Sequence, residues 1–150
     1  MPNPFRLNSV PNVKPNIAVI GVGSNIYPRK NILGAKNLLS KGPEILAQSK
    51  FIKTKPIGYH AQPDFTNGAF LIKTTLTRRT LRKQLKSIET QLGRFRTTLK
   101  YGQRTIDLDI IVWNNQVISK DFQTRRFVRQ ATRELLPNLK LTKKKALSKF

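Results

Sequence analysis

Between Tyr101 and Ile111 the chain reads Tyr-Gly-Gln-Arg-Thr-Ile-Asp-Leu-Asp-Ile-Ile. Gly102 permits a turn, and aliphatic residues then alternate with polar ones, the two-residue period of a strand entering a sheet. Residues two apart in a strand project from the same face, so Asp107 and Asp109 point together while Ile106, Leu108 and Ile110 point to the opposite face, which is expected to be buried. Two carboxylates about 7 Å apart on one strand face can embrace a pair of divalent cations, which in two-metal sites lie ~3.5–4 Å from each other. Arg104, at the strand entrance, is placed to complement a phosphate held by the same metals. A merely solvated strand face also accommodates two acids, and composition separates the two readings.

The chain of 150 residues carries 29 Lys and Arg against seven Asp and Glu, a net charge of +22. Where carboxylates are this scarce, two on one face of one strand read as a retained metal site. Such a field attracts polyanions, whether nucleotides, nucleic acid or an anionic membrane surface. The absence of cysteine excludes disulfides and thiolate metal sites, and His60, the single histidine, excludes zinc sites built on several imidazoles. No apolar run approaches the ~20 residues of a membrane helix. The first sixteen residues contain four prolines and no apolar core of a signal peptide. The expected organisation is a disordered tail over residues 1–16, one domain over 17–141 and a basic tail over 142–150. A cytoplasmic monomer with no membrane contact is expected, with nonspecific affinity for polyanions.

Along the chain, Ile17–Val22 reads as a buried strand ending in the small-residue turn Gly21-Val-Gly23-Ser24-Asn25. No Gly-Lys-Ser/Thr follows, so a Walker loop is absent. Asn31 to Leu39 keeps helical spacing through Ile32, Ala35 and Leu39, and Gly42-Pro43 stops it. Ile45–Thr54 reads as one strand, Pro56 to Asp64 as a loop, and Phe65–Leu76 as a strand. Thr80 is the expected cap of a helix carrying Leu81, Leu85, Ile88 and Leu92, with Gly93 ending it and Glu89 at the edge of the apolar stripe. After the Asp-x-Asp strand, Asn114-Asn115 makes a turn, Gln116–Ile118 a short strand, and a last helix runs from about Arg125 to Leu136. The order predicts an α+β fold, a ferredoxin-like βαββαβ sheet with helices packed on it.

Taken together, Gly23-Ser24-Asn25, Thr54-Lys-Pro56-Ile-Gly58, Gln62-Pro63-Asp64-Phe65-Thr-Asn67, Gly93-Arg94-Phe-Arg96 and Gly102-Gln-Arg104-Thr-Ile-Asp107-Leu-Asp109 resemble the 6-hydroxymethyl-7,8-dihydropterin pyrophosphokinases. The resemblance extends from about Ile17 to Leu139. It implies transfer of pyrophosphate from ATP, the co-substrate, to the pterin hydroxymethyl oxygen, with AMP leaving. By the same resemblance, Asp107 and Asp109 bind two Mg2+ ions and act with Arg104 in catalysis. Glu89, Arg94, Arg96, Arg104 and Arg125 would hold ATP, and Thr54, Pro56, Gly58, Phe65, Asn67, Tyr101 and Phe127 the hydroxymethyl dihydropterin. A flat polar heterocycle needs aromatic faces and an amide that both donates and accepts, so Asn67 and the aromatics suit that assignment. The segment Asp121–Arg125 is shorter than the family pattern and lacks its His-Tyr pair, which implies weaker or differently organised ATP binding. The rival reading is a non-catalytic relative that binds nucleotide or nucleic acid through its basic surface.

Overall fold

The computed structural model describes residues 13–58, 61–93 and 105–140. Their strands form one antiparallel sheet. The elements are β1 (Asn16–Ser24), α1 (Pro28–Leu39), β2 (Glu44–Gln48), β3 (Ile52–Thr54), β4 (Phe65–Thr74), α2 (Arg78–Gln91), β5 (Asp107–Trp113), β6 (Gln116–Val117), α3 (Asp121–Thr124) and α4 (Arg126–Leu135). The sheet order is β2-β4-β1-β5-β6, with β3 also paired to β4. β1 is central because its side chains are apolar on both faces. Ala18, Ile20 and Val22 join the core under α1 and α2, and Val19 joins a second core with Phe122, Ala131 and Leu139. The fold is α+β with helices on both sides of the sheet.

The first core is built by matched periodicities. Ala35 and Leu39 from α1 and Leu81, Leu85 and Ile88 from α2 meet Phe70 and Ile72 of β4 and Ile106 and Leu108 beside and in β5. Each of these side chains is nearly or wholly removed from water, worth roughly 1.5–3 kcal/mol apiece for the larger ones. Ile106, Leu108 and Ile110 thus take the dry face, as the alternation requires.

Three local expectations are corrected. The stretch Ile45–Thr54 is two strands, because buried Ser49 interrupts it: its amide donates to Ala69 O and its hydroxyl accepts from Ala69 N. Thr77, not Thr80, caps α2; its Oγ1 accepts from Thr80 N at 3.2 Å, the N-cap to N3 bond. A four-residue helix, α3, precedes α4. Gly93, at φ 89°, follows α2 in the left-handed conformation expected of a residue ending a helix. Asn114 and Asn115 also have positive φ in the turn between β5 and β6.

A register shift between β1 and β5, at Val19 and Ile20, opposes two β1 residues to three of β5. Such a bulge turns a strand locally, and it lets Ile111 and Val112 both pack into the second core. The α4 side of the sheet is filled there, while the sheet surface near Asp107 and Asp109 is left open.

Candidate active site

The open surface is a cleft of about 200 Å³ between the α4 side of the sheet, the β3–β4 loop and the start of α4. Asp107 and Asp109 line it together, on the face opposite Leu108. Asp109 is only half-buried by residue, yet its carboxyl is pushed up to about 6. Burial is the main cause and the Asp107 carboxylate adds to it; Lys86 opposes the shift. Two acids brought side by side in a partly dry cleft repel each other, and a cation between them removes that repulsion.

Glu89 holds the strand that carries this pair. It is 3% exposed; its Oε2 accepts the Leu108 N–H at 2.7 Å, and its Oε1 faces Lys86 Nζ at 3.3 Å. β6 pairs only with Val112 and Trp113, so the N–H between the two aspartates needs a partner from elsewhere, and α2 supplies it. Its carboxylate is a strand clamp and does not line the cleft.

The neighbouring wall comes from β3 and β4. Thr54 pairs with Phe65 and Ile52 with Asn67, and the Asn67 Nδ2 donates to Thr54 Oγ1 at 2.5 Å. Thr54, Phe65 and Asn67 all line the cleft. Gly23 lies beside them, and a Cβ there would sit 2.5 Å from Asn67 Oδ1, so the glycine is what lets the amide approach β1. Of the loop residues, Ile57 and Lys55 reach the cleft, whereas Pro56 is buried and Gly58 turns the chain at φ 85° without lining it. The motif Gly23-Ser24-Asn25 fastens two loops. Ser24 Oγ donates to Thr105 O, just ahead of β5, and Asn25 Nδ2 donates to Gln62 Oε1 and Pro63 O.

Arg125 and Phe127 complete the rim from the start of α4. Asp121, which sequence reasoning did not single out, lines the same cleft 3.7 Å from Arg125 Nε. The scarcity of acids was the available signal: three of the seven face this one cleft. Thr132 and Ala131, also missed, form its floor and look like ordinary core residues in the sequence. Arg94, Arg96, Tyr101 and Arg104 lie outside the described residues, as does His60.

The donor set fits magnesium better than a protein-caged metal. Among the described residues no three acids or histidines converge closely enough to hold an ion by themselves. Magnesium is ordinarily bound through one or two carboxylates, with waters and substrate phosphates filling its remaining positions. Asp107 and Asp109 offer that number of oxygen donors on an open face.

A family model for 7,8-dihydro-6-hydroxymethylpterin-pyrophosphokinase (HPPK) matches residues 19–137. The chain belongs to this family. The matched span runs from within β1 through the end of α4, so both walls of the cleft fall within it. A 2-amino-4-hydroxy-6-hydroxymethyldihydropteridine pyrophosphokinase from Haemophilus influenzae is 35% identical over 107 residues, 69% of this chain and 66% of that protein. The Pseudomonas aeruginosa protein of the same name is 33% identical over 133 residues, covering 81% of this chain and 82% of its own length. The folic acid synthesis protein fol1 of Schizosaccharomyces pombe is 34% identical over 144 residues, of which this chain spans 20% of the length. This HPPK-family chain therefore spans just under two thirds of the Haemophilus relative and a fifth of the Schizosaccharomyces one. No described helix is long and apolar enough to cross a membrane.

Proposed function

We propose that this chain transfers the pyrophosphoryl group of ATP to the hydroxymethyl oxygen of 6-hydroxymethyl-7,8-dihydropterin, releasing AMP. The observation that carries the reading is the placement of Asp107 and Asp109 on one cleft face, with Thr54, Phe65 and Asn67 on the wall beside them. One wall is acidic and suited to metal-held phosphate. The other offers an aromatic ring and an amide, suited to a flat polar ring.

The pterin is held by Asn67, whose amide keeps its carbonyl available while its Nδ2 is anchored on Thr54. Phe65 from one side and Phe127 from the other are the candidate faces for the ring. Asp107 and Asp109 would hold Mg2+, two ions in this reading, and when bound the metal neutralises phosphate charge and aligns the attacking and leaving oxygens. Glu89 keeps the Asp pair in register by holding the strand amide between them. Arg125, tethered by Asp121, supplies positive charge at the rim for the nucleotide, and Arg104, Arg94 and Arg96 share that role by their place in the motif. The hydroxymethyl oxygen bonds to the β-phosphorus and gives up its proton to solvent, while the bond from that phosphorus to the α–β bridging oxygen breaks and AMP leaves with that oxygen.

We also infer a ferredoxin-like topology. The order β2-β4-β1-β5, with α1 between β1 and β2 and α2 between β4 and β5, follows a βαββαβ scheme, with β3 and β6 as additions. The domain spans about residues 17–141 in this reading. The direct test is AMP formation from ATP and 6-hydroxymethyl-7,8-dihydropterin, with and without magnesium. Activity that requires pterin and metal and is lost in Asp107→Ala is expected; ATP turnover indifferent to pterin would overturn the proposal.

A further inference from the structure

The chain's acids are distributed unevenly in space. Asp107, Asp109 and Asp121 line the cleft, and on the layer formed by α1 and α2, against the opposite face of the sheet, the only acid is Glu89, which is buried. The outer surface of that layer carries exposed cations and no exposed acid. On α2, Arg79, Arg82, Lys83 and Lys86 follow i, i+3, i+4, i+7 spacing, so they lie along one stripe, and all four are exposed. The stripe is turned away from Leu81, Leu85 and Ile88, which are committed to the core. Lys86 is paired with Glu89, but Arg79, Arg82 and Lys83 have no carboxylate partner among the described residues. On α1, Arg29 and Lys30 are exposed as well.

A stripe of this kind repels itself, and a helix gains nothing from four like charges at these spacings. Two of the three arginines of α4 are handled differently: Arg129 donates to Phe122 O and Gln123 O, and Arg133 stacks over the Phe122 ring. Those arginines hold the fold together. Arg79, Arg82 and Lys83 make no such bonds among the described residues, so their charge is available to an outside partner.

The geometry points to this α2 face as a docking surface for the phosphate backbone of a nucleic-acid duplex, separate from the cleft. Residues 79 to 86 span about 10 Å of helix. The three cations without a carboxylate partner, Arg79, Arg82 and Lys83, occupy about 6 Å of that length, one per roughly 2 Å, comparable with the duplex's one charge per ~1.7 Å. Phosphate binding of this kind positions a protein on a duplex without reading its sequence. An anionic membrane is the poorer match, because a helix that lies on a bilayer inserts an apolar face, and the apolar face of α2 is already buried in the core. The inference does not depend on the reaction proposed above, since the surface lies on the other side of the sheet.

The test measures binding of the full chain to a labelled DNA duplex of about 20 base pairs across a salt series, by fluorescence anisotropy. The combined variant Arg79→Gln, Arg82→Gln, Lys83→Gln is compared with a charge-matched control, Lys50→Gln, Lys120→Gln, Lys140→Gln, which removes the same charge from other exposed positions. Thermal unfolding by circular dichroism establishes that both variants are folded. The α2 variant is expected to flatten the log–log salt slope by about 2–3, at ~0.9 for each phosphate that is no longer neutralised, and to bind at least tenfold more weakly at low salt. The control is expected to change the slope by less than about 1. Equal weakening in both variants would show that net charge alone drives binding and would overturn the assignment. Undiminished duplex binding by the α2 variant, no salt-dependent binding by the full chain, or a defect confined to anionic phospholipid vesicles would overturn it as well.

Discussion

Replacing Asp109 by asparagine should make the metal-free protein more stable at neutral pH while removing its proposed activity. In the folded chain the Asp109 carboxyl is pushed from 3.8 up to about 6, chiefly by burial and then by Asp107. A carboxyl raised on folding binds protons more readily in the native state than in the unfolded one. Stability from this group is therefore complete below pH 3.8 and is lost as pH rises through 6. At ~1.4 kcal/mol for each unit of separation, keeping Asp109 ionised at pH 7.5 costs the native state about 3 kcal/mol. Asparagine is nearly isosteric and never ionises, so Asp109→Asn should recover a part of this, roughly 1–3 kcal/mol after solvent screening and altered hydrogen bonding. For a chain of this size each kcal/mol moves the melting temperature by about 2–4 °C. Thermal unfolding in a chelator at pH 5, 6 and 7.5 would read the effect. The variant's gain should be about half-developed at pH 5 and near its maximum at pH 7.5, and added magnesium should stabilise the wild type more than the variant. A variant that is less stable at pH 7.5, or whose advantage does not grow with pH, would refute the idea that the two aspartates are held in a strained, cation-seeking pair.

Asn67→Ala should weaken pterin binding by about 1–3 kcal/mol, through an unpaired polar edge, and leave ATP binding nearly unchanged; equal losses measured by calorimetry would make Asn67 a loop anchor instead. Gly23→Ala should push the Asn67 amide aside, because the new methyl would lie 2.5 Å from its Oδ1. The fold should persist while pterin affinity falls, and unaltered affinity would mean the amide position is not what the glycine protects. Glu89→Ala leaves the buried Leu108 N–H without its acceptor and should cost about 1–3 kcal/mol in denaturant unfolding, whereas Glu89→Gln, which keeps an acceptor oxygen, should cost less. Identical losses for the two variants would point to the charge facing Lys86 rather than to the strand clamp.

What the sequence by itself determined is what short-range periodicity can specify. The alternation around Asp107 and Asp109 dictated a strand with acids on one face and Leu108 on the other, because successive side chains must alternate. The recurrence of Leu81, Leu85 and Ile88 dictated the buried stripe of α2, because 3.6 residues make a turn. Gly93 ended that helix as its conformational freedom allows. These are consequences of backbone geometry, and they need no knowledge of what packs where. Tertiary structure decided the rest, because each remaining feature depends on groups far apart in the chain. Glu89 becomes a clamp only when α2 crosses the unpaired edge of β5, 19 residues away. Ser49 splits a strand because Ala69 engages both its amide and its hydroxyl. Asp121 enters the cleft because α3 and α4 fold across the sheet beside Asp107 and Asp109. Even the raised Asp109 carboxyl is a tertiary property: adjacency to Asp107 is written in the chain, but the burial that dominates the shift comes from the walls assembled around the pair.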